Sequence, residues 1–597
     1  MTAYRARTAS AVVAALTLAA TACGSNGKSH PGPDGVGSGG KAAGGYNAGT
    51  TSILNASTKA GGTLKFGSSG DFDSTDPGDS YYAFVQDFQT YYARPLVSFK
   101  RAPGQAGTQI VGDLATDTGT VSADGLTWTY HLRPGVKYED GTTVKAADVV
   151  YALERSNWGG DVLKNGPTYL ASDLVENTAK YPGPFTDKDA AHGVSGLSAP
   201  DDSTVVIKLV RPFSDLPYVL TFAGSSPVPR AADKGADYKL HPLSVGPYMF
   251  DNYTPQKSLT LKKNPSWDPS TDPEHLHPQL LDGVSVQLGM DQDDLDKQLL
   301  SGAVDVDLQG SGVNQAAQTQ ILNDPTLKAN ADSALSGREW YVQLNTQLKP
   351  FDNVHCRKAV EWLLDKVPLQ NAYGGPATGD IASTLMPPGF AGYEKFDLYP
   401  SAKGDNKGNL PKAKEEMAQC SQPGGFSTVI TARVERQHEI DAATSIKSQL
   451  AQLNIKADIQ TFPKAKYFTN YAGSPAWANA NNAGLMMGGW QPDWRDGYGM
   501  MDQVITKDGI KATGGGTNLS QYSNPAIEKL FAQAAAETDP AKVAPLWGQI
   551  DKMNMDDATL VPIVYVKTLA YRPKQLTNVY VWQAYGIYDF SQLGVSR

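Results

Sequence analysis

Catalytic side chains are scarce in this chain: its 597 residues include 8 histidines and 3 cysteines. No G-x-S-x-G elbow and no H-E-x-x-H helix occurs. Gly35 to Gly40 fits G-x-G-x-x-G literally, but no strand pattern precedes it and no helical pattern follows. Gly27-Lys28-Ser29 ends like a phosphate-binding loop, yet Ala22 stands where its first glycine belongs. His275 and His277 form a lone H-x-H between prolines, which fits a loop better than a zinc site. Asp305 and Asp307 face one way on a short strand, and such pairs are usually just solvated. With no nucleophile set beside a base, neither an enzyme nor a cofactor nor a metal is expected.

Clusters of positive charge are lacking as well. Lys and Arg total 52 against 61 Asp and Glu, a formal net charge of −9 at pH 7. An acidic chain without a basic patch argues against nucleic acid as a partner. Long apolar runs are confined to Ala9–Ala22, which follows Arg5 and Arg7 and is too short for a lasting membrane span. The run ends in Ala20-Thr21-Ala22-Cys23-Gly24, which is similar to a bacterial lipoprotein cleavage site. Small residues suit the peptidase, and Cys23 would carry the lipid. Ala20 stands where that pattern usually has Leu, and a plain secretory signal cut nearby is the alternative. Removal of residues 1–22 takes away Arg5 and Arg7 and moves the net charge from −9 to −11.

Residues 23–60 are expected to be the lipidated Cys and a flexible tether. Ten of the 26 residues from Gly24 to Gly49 are glycine, and such a coil has an r.m.s. reach of about 35 Å. With Cys23 acylated, Cys356 and Cys420 remain as an even pair in an oxidising compartment. A disulfide is the simplest expectation, and two buried thiols are the alternative.

From Gly61 onward strand and helix patterns alternate. Thr428 to Val434 predicts a strand. Ile440, Ala443, Ile446, Leu450 and Leu453 form a helical stripe, and Ile455, Ala457 and Ile459 alternate as the next strand. That βαβ order points to an α/β lobe. The most informative stretch is Leu126 to Arg155. Trp128, Tyr130 and Leu132 alternate with polar residues, Arg133-Pro134-Gly135 turns the chain, and Glu139-Asp140-Gly141 turns it again. Ala146, Val149, Val150 and Leu153 then line one helix face, with Thr143 as the expected cap.

That order of strand, turns and helix resembles the signature of the extracellular solute-binding proteins of family 5. These are the peptide- and nickel-type receptors of bacterial ABC importers. Further segments resemble the family in the same chain order. They are Gly246-Pro247-Tyr248 with Asn264-Pro265-Ser266-Trp267, and Leu299 to Val306. Leu344-Asn345-Thr346 with Pro350 to Val360, and Asn518 to Pro525, complete the set. The resemblance implies an α/β, two-lobed, periplasmic-binding-protein-like fold of type II, with an extra inserted domain and a hinge of two crossings. Residues 61–95, 216–338 and 566–597 would form lobe I, 96–215 the inserted domain and 339–565 lobe II.

The resemblance also implies site residues. Trp490-Gln491-Pro492-Asp493 is similar to the family's W-x-x-D segment, in which the Asp of peptide-binding members pairs with the ligand's α-amino group. By position, Asp493 would read the ammonium and Trp490 would line the cleft. Alternatively, Asp493 caps a turn after Pro492 and Trp490 is core. Asp73, beside the first strand, and Tyr565, on the strand Val561 to Leu569, are further cleft candidates. Tyr81 and Tyr82 are weaker ones. The implied protein is a monomeric lipoprotein on the outer face of the cell membrane. It would capture oligopeptides and deliver them to a permease and its ATPase. An oligosaccharide, metal chelate, siderophore or haem in the same type of receptor, and a peptide sensor without transport, are the alternatives.

Overall fold

Trp128 and Tyr130 are buried on one side of the strand Thr127–His131, as their alternation predicts. Burying such side chains stabilises the fold by roughly 1.5–3 kcal/mol each. The following helix, Ala146–Asn157, buries Ala146, Val149 and Leu153. Its cap is Lys145 rather than Thr143: Asp148 turns back and accepts the Lys145 backbone N–H at 3.0 Å. Thr143 instead bridges to Lys137 one turn earlier.

The computed structural model describes residues 44–171, 174–175, 181–187 and 193–596. Cys23 and the signal segment lie outside the described residues. Three main sheets organise the described chain. The first orders Val306–Asp307, Thr63–Gly67, Gly283–Gln287, Ser258–Lys263 and Tyr248–Thr254. Thr63–Gly67 runs parallel to both of its neighbours, and the remaining pairs are antiparallel. The second orders Gly379–Ile381, Leu560–Tyr571, Ala331–Leu344, Ala483–Trp490, Ser427–Arg433 and Lys456–Phe462. It contains the expected βαβ unit, Ser427–Arg433, Gln437–Leu450 and Lys456–Phe462, with its strands parallel. The third is a four-stranded antiparallel sheet of residues 120–208, including Thr127–His131 and Thr204–Lys208. Each sheet sits on its own apolar core.

Two long strands, Ala331–Leu344 and Leu560–Tyr571, connect the first and second sheets and pair with each other. Their register breaks between Leu335 and Glu339. The expected boundaries at 338/339 and 565/566 fall inside these strands.

The expected tether through residue 60 is corrected. Asn47 donates its N–H to Ala331 O at 3.0 Å, and its side chain accepts from the Ser333 N–H at 2.7 Å. Leu54 bridges to Val579, and Asn55 donates to Leu576 O at 3.0 Å. Residues from about 45 to 57 are therefore docked onto the first lobe. Polar side chains at turn positions carry this docking, and a count of glycines does not register them.

His277 is a buried core residue. Its ring nitrogens meet Thr90 O at 2.9 Å and Asp113 Oδ2 at 2.7 Å. Among the described residues no group of three or more His, Cys, Asp or Glu is arranged to hold a metal ion.

Cys356, in the helix Val354–Leu363, is bonded to Cys420 at the end of the helix Leu410–Gln419, with Cα atoms 4.6 Å apart. The bridge closes 64 residues. The chain-entropy account assigns such a loop roughly 4 kcal/mol. Cys356→Ser with Cys420→Ser should lower urea stability of the second lobe by about 2–4 kcal/mol. An unchanged midpoint would show that the bridge does not stabilise the lobe.

Candidate functional site

The strand Ala483–Trp490 ends beside Glu339 of the crossing strand Ala331–Leu344, and a bent loop, Gln491–Asp496, follows it. Opposite lies the loop after the first strand. There Asp73 accepts the N–H groups of Ser74 at 2.9 Å and Tyr81 at 3.2 Å, and the Ser80 hydroxyl at 2.9 Å. This carboxylate folds residues 73–81 into a loop that presents Tyr81 and Tyr82. Gln86 secures it, donating to Ser80 O at 3.0 Å and accepting from the Ala223 N–H at 2.9 Å. Between the two loops is a cavity of about 240 Å³. Its remaining wall comes from the register break at Ser336–Arg338 and from Ala584 and Tyr585.

Asp493 faces this cavity and accepts a hydrogen bond from the Tyr81 hydroxyl. Burial pushes its carboxyl up to about 6, and the Tyr81 bond holds it from going higher. The Tyr81 hydroxyl is raised in turn, by burial and by the Asp493 charge. The Tyr81 ring stacks on Phe222 at 6.1 Å, and its oxygen lies 3.1 Å from that of Tyr169.

Two guanidiniums share the cavity. Arg338 donates twice to Gln491 Oε1, at 3.2 and 3.0 Å, and lies over the Trp340 ring at 5.2 Å. Burial, then Arg436 and Arg433, lower it from its usual value. Arg495 is 6% exposed, and burial lowers it to about 9. Its guanidinium donates to Leu335 O at 3.1 Å. It fits there because residue 337 is glycine, with φ +85° and room for a Cβ only 3.2 Å from the Arg495 Nε. Neither arginine has a carboxylate partner among the described residues, although a buried cation normally requires one.

Of the four principal candidates, Asp493, Trp490, Tyr565 and Asp73, only Asp493 lines this cavity. Trp490 is corrected to a packing role outside the cavity wall: it is half-buried against the apolar cluster that contains Tyr341 and Met500, and its indole N–H donates to Gly499 O at 2.9 Å. Tyr565 is corrected likewise. Its buried hydroxyl accepts the Thr384 N–H at 3.0 Å and the Ser383 N–H at 3.3 Å, inside the second lobe. Asp73 shapes the Tyr81 loop rather than lining the cavity. Tyr81 and Tyr82, the weaker expectations, do line it. Arg338, Arg495 and Phe222 were missed. The available signals were the Ser336-Gly337 break in a long strand pattern and an arginine two residues after Asp493.

The family model "Bacterial extracellular solute-binding proteins, family 5 Middle" matches residues 109–512. The glutathione-binding protein GsiB of Escherichia coli O1:K1 is 25% identical over 472 residues, covering 77% of this chain and 82% of GsiB. The solved clavulanic acid biosynthesis oligopeptide binding protein 2 is 37% identical, with a TM-score of 0.86 over 93% of this chain and 99% of that one. The periplasmic binding protein DppA of Helicobacter pylori, solved with the peptide STSA, superposes with a TM-score of 0.64. It covers 90% of this chain and 99% of its own at 21% identity, a likeness of fold. The architecture is thus the two-lobed periplasmic binding protein fold.

Asp493 should titrate near 6 in carbon-detected NMR of labelled protein, above its ordinary 3.8. Tyr81→Phe removes a donor that favours the ionised form, so the midpoint should rise further. A wild-type midpoint near 3.8, or a fall in Tyr81→Phe, would contradict this electrostatic account.

Proposed function

We propose a function from one premise: the chain belongs to the bacterial extracellular solute-binding proteins of family 5. Within that family we read it as the receptor of an ABC importer for short peptides. A peptide lies in the cavity between the lobes, its free ammonium on Asp493 and its carboxylate toward Arg338 and Arg495. The observation that carries this reading is the charge on the cavity wall. One half-buried carboxyl and two guanidiniums without carboxylate partners among the described residues face the same space. A zwitterion satisfies both signs, and each buried charge is costly until it is paired. Glutathione and oligopeptides, named for two of the similar proteins, are both zwitterions of this kind.

Main-chain hydrogen bonds would then hold the peptide with little regard to side chains, and water would fill loose space. Closure of the lobes would bury it and present a surface to the permease. Cys23 would anchor the monomeric receptor by lipid to the outer face of the membrane.

Calorimetry with a short peptide and its N-acetylated copy tests the reading. Asp493→Ala should weaken binding at least about a hundredfold, near 2.7 kcal/mol. The melting temperature without ligand should barely change. The acetylated peptide should bind the wild type as poorly as the free peptide binds the variant. Affinity should also fall as pH drops through about 6, where Asp493 gains its proton. Equal affinity for the two peptides would mean that the amine is not read, and a sugar or chelate ligand would replace the peptide.

A further inference from the structure

The segment after the inserted sheet docks on the second lobe. Ser214 donates its N–H to Ala535 O at 2.8 Å and its hydroxyl to Ala534 O at 3.3 Å. Phe213 meets Tyr498 edge-on at 5.2 Å. In return the second lobe inserts Trp494 into the core of the inserted domain, where it is 3% exposed. Its ring stacks on Tyr218 at 6.0 Å and meets Tyr169 at 5.3 Å. Its indole N–H donates to Asp215 Oδ2 at 2.8 Å.

Beside it Asp496 accepts the Gly499 N–H at 2.8 Å and shares a side-chain hydrogen bond with Asp215. Both carboxyls are almost fully buried. Ionised carboxylates only accept hydrogen bonds, so a bond between two of them needs one proton. Neither carboxyl forms an ion pair among the described residues. Tyr218 and Tyr498 face the pair, and both hydroxyls are raised by burial and by the carboxyl charges. Arg211 and Asp502 act on Tyr498, and Arg211 lies over the Phe213 ring at 5.7 Å.

We propose that Asp215 and Asp496 are positioning residues for Asp493, sharing one proton across the interface between the inserted domain and the second lobe. That proton holds residues 493–496 against the inserted domain, so closing the cavity takes up a proton from solvent. Burial and the neighbouring carboxylate raise Asp496 well above its ordinary value, and burial raises Asp215. A raised carboxyl stabilises the docked form below its raised value and loses that contribution as pH climbs through it. The sign is opposite to that of Asp493, whose protonation weakens ammonium binding at low pH. The device does not depend on which ligand is bound.

Small-angle X-ray scattering of the ligand-free full chain, near pH 5 and near pH 9, tests it. The wild type should show a larger radius of gyration at the higher pH. Asp496→Asn should stay compact at both, because a carboxamide donates to Asp215 without a titrating proton. Asp215→Asn should do the same, and circular dichroism establishes that each variant is folded. Asp493→Asn should expand as the wild type does, which separates this device from the ligand-reading carboxyl. A wild-type radius that does not change with pH would overturn the proposal, whether or not the variants fold. So would an Asp496→Asn protein that is folded and expands like the wild type.

Discussion

Two paired strands, Ala331–Leu344 and Leu560–Tyr571, carry the chain between its lobes, and the rest of the molecule is arranged around that pairing. At one end Asp332 is buried on the first strand. It accepts hydrogen bonds from the Gly49 N–H at 2.9 Å, from Arg572, and from the Tyr588 hydroxyl at 2.8 Å. A buried carboxylate is tolerated only when its lone pairs are filled. This one therefore binds the N-terminal stretch and the C-terminal segment to the same ribbon. At the register break the ladder opens and releases Ser336, Gly337 and Arg338 into the cavity wall. Beyond it the strands enter the core of the second lobe. A connection of two strands leaves few bonds to bend, which suits rigid-body movement of the lobes.

The loop Gln491–Asp496 meets the ribbon at that break, and its side chains alternate. Asp493 and Arg495 face the cavity, whereas Trp494 and Asp496 contact the inserted domain. A short bent loop thus contributes both to the charged wall and to the contact between lobes. In the proposed function this is a mechanical link: whatever fixes Trp494 and Asp496 also fixes Asp493. The carboxyl and the guanidiniums of the wall are held apart from one another by neutral partners, Tyr81 for Asp493 and Gln491 for Arg338. Among the described residues none of these charges forms an ion pair.

Much of the fold was legible because it rests on local periodicity. The Trp128 strand, the Ala146–Asn157 helix and the 427–462 βαβ unit each follow from the spacing of apolar residues. The Thr143 cap failed because Asp148 reached back to Lys145, a contact that hydrophobic pattern does not encode. At the site, position along a motif was informative for Asp493 but not for Trp490. A strand residue next to a loop faces either side, and here the indole bond to Gly499 O and the apolar cluster of the second lobe decide it. Tyr565 failed for the same reason, since its hydroxyl is captured by Thr384, far away in sequence. Arg338 and Arg495 were missed because the sequence does not show which cations go without a carboxylate in the folded chain. Residues 45–57 were mistaken for tether because glycine content masked the docking contacts of Asn47, Leu54 and Asn55.

The most direct test of the central claim, that the interlobe cavity takes a zwitterionic peptide, is the identity of the molecule the protein carries out of its own cells. Native mass spectrometry of gently purified protein, followed by acid release and tandem sequencing, measures it. The account predicts one adduct per chain that yields a short peptide with a free, label-reactive amine and a free carboxylate. A released sugar, metal chelate or amine-blocked molecule would contradict it.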